Sequence, residues 1–276
     1  MQKSEKMNNE KSEKKSGRTA WSYLARAYLD LQHLRMACES RLKKLEEDEK
    51  TPEIVYEIIK DYHHALKSEE KELLTRISEQ LKKHPLWEWC QKVKGMGAVA
   101  CLTFLGFINP YKADTAGKAK AYLGIIPTAG LRSGKKANFN PEAKGRIWLI
   151  TRNVIMQKDD YYYPLYLKKK EYYLNTERKV FDHDKGEWIT FPPFKEILKD
   201  PSKCPKYSQC IKALKRKAER LGREPKKPPC RLHLDQMAKR WLMGILVSHA
   251  TELMREALGL DTTNFKAHHD YIPPKP

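Results

Sequence analysis

The sequence has no long apolar run. No stretch approaches the roughly eighteen apolar residues that a helix needs to span a bilayer. Residues 1–18 are rich in Lys and Glu and lack the apolar core of a signal peptide. The six cysteines are not spaced like the disulfide framework of a small secreted domain. These absences exclude membrane-spanning and disulfide-rich secreted proteins, and they predict a cytoplasmic protein with reduced thiols.

Acidic residues are scarce relative to basic ones. The chain of 276 residues has 54 Lys and Arg against 35 Asp and Glu, a formal net charge of +19. A lysine-rich surface of the kind found in thermophilic proteins is the alternative explanation, but such surfaces usually balance Lys with Glu. The excess therefore predicts a polyanionic partner, with DNA or RNA favoured, and binding that weakens with salt.

Apolar periodicity predicts a mainly α fold of one or two domains. Two stripes at three- and four-residue steps predict two helices, and Arg35 alone interrupts the first. The stripes are Trp21, Leu24, Tyr28, Leu31, Cys38, Leu42 and Leu45, then Val55, Ile59, Tyr62, Leu66, Leu73, Ile77 and Leu81. They fit either an intramolecular helical hairpin or a coiled-coil arm that pairs two subunits.

The order of these patterns predicts six segments. They are a disordered charged tail at 1–19, a helical hairpin or coiled coil at 20–84, a helix-hairpin-helix and serine-loop domain at 85–157, a basic insert at 158–231, a closing amphipathic helix at 232–260 and an irregular tail at 261–276.

A Gly-x-Gly turn, Gly95 and Gly97, precedes an apolar helix predicted at residues 98–108. Glycine permits positive φ and close backbone approach, and free N–H groups at a helix N-terminus suit a phosphate oxygen. Lys92 and Lys94 add positive charge. The pattern predicts a helix-hairpin-helix module that holds one DNA strand by its backbone without reading sequence. The alternative is an ordinary helical turn with glycine at a C-cap.

Ser133 lies in a loop among cations. A serine nucleophile must be exposed and needs positive charge to stabilise a phosphoryl transition state, which Arg132, Lys135 and Lys136 would supply. The alternative is that Ser-Gly is simply a common turn dipeptide. Three further cations near and along the next helix, predicted from Arg146 to about Gln157, are candidates for phosphate contacts: Lys144, Arg146 and Arg152.

Residues 93–155 resemble the C-terminal domain of the insertion-sequence transposases of the 116/110/902 family. The family pattern is a glycine hairpin, a Tyr-hydrophobic-Gly-hydrophobic-x-Pro stretch, a Ser-Gly pair, and a glycine-and-basic segment leading into a helix. This chain has matching elements in the same order over about sixty residues. They are Lys94-Gly95-Met96-Gly97, Tyr122-Leu123-Gly124-Ile125-Ile126-Pro127, Ser133-Gly134, and Lys144-Gly145-Arg146-Ile147 with Arg152.

The resemblance implies RNA-guided, serine-dependent DNA recombination, with Ser133 at the position of the catalytic serine. It also implies a guide RNA as a partner. Family relatives carry a coiled coil just ahead of this domain and recombination needs paired subunits, so the resemblance favours the dimerisation arm and a homo-oligomer.

The chain departs from the family at its N-terminal side. Family members begin with an RNase H-fold domain whose acidic residues bind divalent metal, and residues 1–92 contain no strand-rich, Asp-bearing segment of that length. The usual Gly-Asn ahead of the basic helix is also absent. Three functions stay open: a serine transposase, a non-catalytic family fragment that acts as docking factor or repressor, and one subunit of a split recombinase with a separate acidic RNase H-fold subunit.

The insert, residues 158–231, has 20 Lys and Arg against 11 Asp and Glu. Its first part, residues 161–173, mixes tyrosines with lysines. That mixture suits base stacking beside a charged backbone, and equally suits tyrosines packed beneath a helix.

Three cysteines and a histidine lie in or next to the insert: Cys204, Cys210, Cys230 and His233. Three thiolates and one imidazole form a legitimate tetrahedral zinc set. The Cys-x2-His spacing is usual for zinc, whereas Cys-x5-Cys is wider than usual. The sequence therefore predicts a structural zinc, with unrelated reduced thiols as the alternative.

Overall fold

The computed structural model describes residues 19–48, 52–126, 139–182, 186–224 and 230–266. Within these ranges the chain forms eleven α-helices, one 3₁₀ turn and one two-stranded antiparallel sheet. The predicted mainly α fold is therefore confirmed. No helix in these ranges is both long enough and apolar enough to cross a membrane. The predicted disordered tail, apart from Thr19, lies outside the described residues.

The elements follow in chain order. They are α1 Ala20–Glu46, α2 Glu53–Leu81, α3 Leu86–Lys92, α4 Ala98–Phe107, α5 Ala116–Tyr122, α6 Pro141–Met156, α7 Tyr162–Asn175, β1 Arg178–Asp182, β2 Glu187–Phe191, α8 Phe194–Lys199, the 3₁₀ turn Pro201–Lys203, α9 Tyr207–Arg220, α10 Cys230–Ala257 and α11 Thr263–Lys266. The chain divides into two compact units. Of the described residues, the first unit holds those up to Ala119 and those from Val247 onward, and the second holds Lys120–Leu246.

In the first unit α1 and α2 pack against each other and run antiparallel. Arg35, the interruption in the apolar stripe, pairs with Glu70 on α2. The Tyr28 hydroxyl and the Gln32 amide donate to the same carboxylate at 3.1 and 3.3 Å. Burial alone would raise the pKa of Glu70, but the hydrogen bonds from Arg35, Tyr28 and Gln32 lower it below its usual value. The polar residue that interrupts the apolar stripe of α1 therefore joins α1 to α2 through an ion pair.

Apolar side chains also lie on the outside of these helices. Ile54, Ile58 and Tyr62 follow one another at four-residue steps on α2 and are 67%, 60% and 45% exposed. Residues four apart share one face of an α-helix. These three side chains therefore form an exposed apolar row on α2 among the described residues of the first unit.

Helix α4 is almost wholly buried and packs against α1, α2 and α3. A Cβ at Gly106 would overlap the side chain of Ala25, so glycine allows α4 to approach α1 closely. Trp89 of α3 packs on Phe104, with ring centroids 5.7 Å apart. The end of α10 is anchored in the same unit, because Arg255 donates to the carbonyl of Pro110 at 2.6 Å.

The second unit is built around α6, α7 and the first part of α10. The buried side of α6 carries Ala143, Ile147, Ile150, Thr151 and Val154. Tyr166 of α7 donates to Asp235 of α10, which also pairs with Lys239 at 2.7 Å. Burial and the bond to Asp235 hold the pKa of Tyr166 well above its usual value, so the phenol stays a donor.

Two features of this unit differ from the sequence prediction. Helix α6 begins at Pro141 rather than Arg146, because the Asn140 side chain accepts a hydrogen bond from the N–H of Ala143 at 3.1 Å and Pro141 stands at N1. The insert also contains a β-hairpin that the sequence analysis did not predict, with Phe181 opposite Trp188.

Candidate nucleic-acid interface

The glycine turn joins α3 to α4 in the first unit. Val93 is the C-cap of α3, and the N–H of Met96 donates to the carbonyl of Val93 at 3.1 Å. Gly95 has φ of +89°, in the region that favours glycine. The positive φ expected in this turn is present at Gly95.

Gly97 is different, because its backbone is extended and any residue adopts that conformation. It is the N-cap of α4, and a Cβ placed there meets no atom within 4 Å. The first turn of α4 contains no acidic residue, and no side chain of the described residues caps its N–H groups. Lys92 and Lys94 are exposed on the approach to the turn. The turn thus combines backbone donors, open space and positive charge.

Two buried thiols join the helices on either side of the turn. Cys90 on α3 and Cys101 on α4 are fully buried. A hydrogen bond between their thiols, together with burial, raises the pKa of Cys90. The Cys90 thiol therefore adds no negative charge to the positive charge of Lys92 and Lys94.

The predicted catalytic loop lies outside the described residues, which end at Ile126 and resume at Phe139. Nothing in the structure bears on Ser133, Arg132, Lys135 or Lys136 themselves. The chain on either side of the gap is informative instead.

The residues that flank the gap are joined within the second unit. The N–H of Asn140 donates to the carbonyl of Tyr122 at 3.0 Å. Gly124 has φ of +63°, and a Cβ there would overlap the ring of Phe139. The Tyr-hydrophobic-Gly stretch of the sequence therefore holds the two ends of the serine-bearing segment together. The sequence analysis quoted Gly124 only as part of a motif and did not assign Phe139 or Asn140 any role.

The three predicted cations of the next helix do not share one face of α6. At about 100° per residue, Lys144 and Arg146 flank opposite edges of the buried stripe, while Arg152 points away from it and is exposed. Lys144 lies over the ring of Phe139, 4.8 Å from its centroid. Burial and the nearby Arg240 lower the pKa of Lys144. Of the three, Arg152 is the most accessible to a phosphate.

The three cysteines of the predicted zinc set are electrostatic neighbours. Burial raises the pKa of Cys230, and the thiols of Cys204 and Cys210 raise it further. Cys204 and Cys230 belong to one apolar cluster with Phe194 and Ile197. In the described ranges, however, no group of three or more His, Cys, Asp or Glu side chains is arranged to hold a metal ion. Zinc binding through these residues and His233 stays a prediction.

Comparison of the chain with models of known protein families, with curated proteins and with solved structures finds no match. The chemistry of the described residues and the resemblance of residues 93–155 are therefore the basis for a proposed function.

Proposed function

We propose that this protein binds DNA and acts in transposition or site-specific recombination. The observation that carries DNA binding is the turn at Gly95 and Gly97. It offers the backbone N–H groups at the start of α4, which receive no side-chain cap from Gly97, together with open space at Gly97 and two exposed lysines. Such a site suits a phosphodiester oxygen and carries no means of reading a base.

The catalytic part of the proposal concerns Ser133. Its hydroxyl oxygen attacks a DNA phosphorus and forms a phosphoserine linkage, and one deoxyribose oxygen leaves as a free hydroxyl with the proton lost from serine. Arg132, Lys135 and Lys136 stabilise the negative charge on the transferring phosphoryl group. Attack by a hydroxyl of a second strand reverses the step and joins the new strands. The guide RNA belongs to this proposal only through the family resemblance.

The described residues before the glycine turn favour a second candidate function. Residues 19–48 and 52–92 contain helices and no strand, so this part of the chain does not supply an acidic RNase H fold. The same DNA-binding surface would then serve a non-catalytic docking factor or repressor, or a recombinase whose acidic subunit is a separate polypeptide.

The proposed homo-oligomer is supported by the exposed row Ile54, Ile58 and Tyr62 on α2. A second copy of α2 is its proposed occupant, because a recombinase works as paired subunits. Light scattering after gel filtration should give a dimer mass for the wild type and a monomer mass for Ile54→Glu/Ile58→Glu. A wild-type protein that is monomeric at all concentrations would refute the proposed dimerisation through α2.

The proposed zinc is tested separately by metal analysis of the purified protein. About one zinc per chain is expected, and Cys204→Ser with Cys230→Ser should remove it. Metal-free protein whose thiols at positions 204, 210 and 230 react freely in the native state would refute the site.

The decisive experiment is DNA cleavage. Supercoiled plasmid is incubated with the protein, with and without RNA and a candidate acidic subunit, and covalent protein–DNA adducts are detected on denaturing gels. Wild type should form the adduct. Ser133→Ala should form none yet bind DNA nearly as well, because one neutral hydroxyl adds little to a charge-driven complex. Arg132→Ala should lower both cleavage and binding.

The matched control is Ser208→Ala, since Ser208 is an exposed serine on α9 outside the loop and its variant should behave like wild type. Wild-type protein that binds DNA but never forms an adduct, even with the acidic subunit supplied, leaves the binding function and removes the catalytic one.

A further inference from the structure

The second unit contains a cavity of about 620 Å³, within the range usual for small-molecule sites. Its walls are mostly apolar and aromatic. Four aromatic side chains, contributed by α7, the β-hairpin and α10, line it: Tyr173, Phe181, Phe191 and Trp241. The β-hairpin, which was not predicted from the sequence, thus forms one wall of this cavity.

The charged side chains that line the cavity are all basic. They are Lys120, Arg178, Lys206 and Arg240, and the described lining residues include no Asp or Glu. A cluster of four cations around an apolar space is unfavourable without a counter-charge, since desolvation and mutual repulsion both oppose it. The composition therefore favours an anionic occupant.

The absence of a side chain at Gly244 leaves room for Lys120 at the cavity. Its side chain lies against α10, with Cε 3.3 Å and Nζ 3.8 Å from the position that a Cβ of Gly244 would take. Burial lowers the pKa of Lys120, and no carboxylate pairs with its ammonium group in the part of the chain that the structure describes. Its charge remains for a ligand.

Arg178 is held by aromatic rings instead of by a carboxylate. Its guanidinium lies 4.8 Å from the ring centroid of Tyr173, 5.3 Å from Phe194 and 5.7 Å from Phe191. Its Nε is buried and makes no hydrogen bond with the described residues. A planar cation fixed between rings, with a donor to spare, is a recurring means of holding a phosphate beside a base.

We infer that this cavity binds a nucleotide, with the base between the aromatic side chains and the phosphate against the cations. A purely apolar ligand would leave the charges of Lys120 and Arg178 without a counter-ion, and a free phosphate would make no use of the aromatic walls. The site goes beyond the proposed function, because none of the described residues that line it belongs to the glycine turn or the serine loop. A free mononucleotide and an unpaired nucleotide of a DNA or RNA strand share this chemistry.

Isothermal titration of the full chain with deoxyadenosine monophosphate, deoxyadenosine and inorganic phosphate tests the site. The monophosphate should bind at least about tenfold more tightly than either fragment, since it alone meets both parts of the cavity. Equal affinity for the monophosphate and for inorganic phosphate, or no binding of the monophosphate, would overturn the inference.

Matched variants locate the binding. Trp241→Leu should weaken binding of the monophosphate about tenfold, whereas Trp87→Leu, at a half-buried tryptophan of the first unit that does not line the cavity, should not. Lys120→Met keeps the packing of the side chain and removes its charge. Lys120→Met should weaken binding of the monophosphate about tenfold and leave binding of deoxyadenosine almost unchanged. Lys118→Met, in the same helix, should change neither affinity. Equal effects within either pair would overturn the assignment.

The source of the nucleotide is resolved with a single-stranded oligonucleotide that carries 2-aminopurine, compared with its duplex. If binding of the single strand quenches its 2-aminopurine fluorescence, and Trp241→Leu abolishes that quenching, the occupant is an unpaired nucleotide of a strand. If the monophosphate binds but the single strand shows no quenching, the occupant is a free nucleotide. Absence of both overturns the inference. If the monophosphate binds and duplex DNA does not, the proposed DNA-binding function is wrong and the cavity site stands. If duplex DNA binds and neither the monophosphate nor the single strand enters the cavity, the cavity site is wrong and the DNA-binding function stands.

Discussion

Two glycine turns, one at Gly95 and Gly97 and one at Gly124, differ in what surrounds the glycine. Gly95 and Gly124 both have positive φ. Around Gly124 the space is filled, because the ring of Phe139 lies where a side chain would be. Two residues after Gly95 the space is empty, because a Cβ at Gly97 meets nothing within 4 Å. At Gly124 the absence of a side chain serves the packing of the fold, whereas at Gly97 it leaves the open space that the proposed DNA contact requires.

The largest effect is expected at the filled turn. Gly124→Ala should lower the free energy of unfolding by about 3 kcal/mol, because the variant combines an unfavourable left-handed conformation with overlap of Phe139. Urea denaturation measures it. The double variant Gly124→Ala/Phe139→Ala should recover part of the loss, since only the overlap is relieved. A single variant as stable as wild type would show that the ring yields easily.

The open turn should respond in affinity instead. Gly97→Ala should bind duplex DNA about tenfold more weakly, a loss of about 1.4 kcal/mol, because the methyl group keeps phosphate from the α4 N–H groups. Its urea midpoint should match that of wild type. Gly117→Ala, at an exposed helical glycine, is the control and should bind normally. A Gly97→Ala variant with unchanged affinity and salt dependence would remove the turn from the DNA interface.

Gly95→Ala separates the two uses of glycine within one turn. The left-handed φ of Gly95 by itself should make the variant about 1 kcal/mol less stable. Thermal or urea unfolding measures this difference directly. A loss as large as that of Gly124→Ala would mean that unseen crowding also constrains this turn, and the contrast between the two turns would then fail.

Acid should weaken the polar contact between α1 and α2. Because the pKa of Glu70 is lowered in the folded protein, its contribution is present above the unfolded value, roughly pH 4.3, and is lost as the pH falls through the folded value. Glu70→Gln removes this dependence. Between pH 6 and pH 3 wild type should lose roughly 0.5–1 kcal/mol more than the variant. Parallel losses would show that the pair with Arg35 adds little stability.

Local patterns predicted the helices well and the contacts between them poorly. Apolar periodicity is a property of a single helix, and so is a capping signal. The Asn140-Pro141 pair is such a signal and places the start of α6 at Pro141, ahead of the predicted Arg146. The β-hairpin was also readable, since Asp-Lys-Gly at positions 184–186 separates two runs rich in β-branched and aromatic residues.

The contact between Gly124 and Phe139 was not readable. It joins residues that are fifteen positions apart, and nothing in the spacing of either specifies the other. The gathering of four cations around one cavity likewise depends on side chains from three separate elements and from the segment just ahead of α9. Charge composition predicted that cations would be in excess, but only the fold shows that Lys120 and Arg178 lie at one cavity with no carboxylate partner among the described residues.

The pinned ends of the serine-bearing segment have a consequence for how the chain tolerates changes in length. Asn140 and Tyr122 are hydrogen-bonded and Phe139 covers Gly124, whatever path the residues between take. The entropy of closing a loop grows only with the logarithm of its length, so doubling the segment adds only about 0.6 kcal/mol. Insertions between residues 127 and 138 should therefore be far better tolerated than any change at the four anchoring positions. Variation in length can collect in this segment while the points where it leaves and rejoins the fold stay constant.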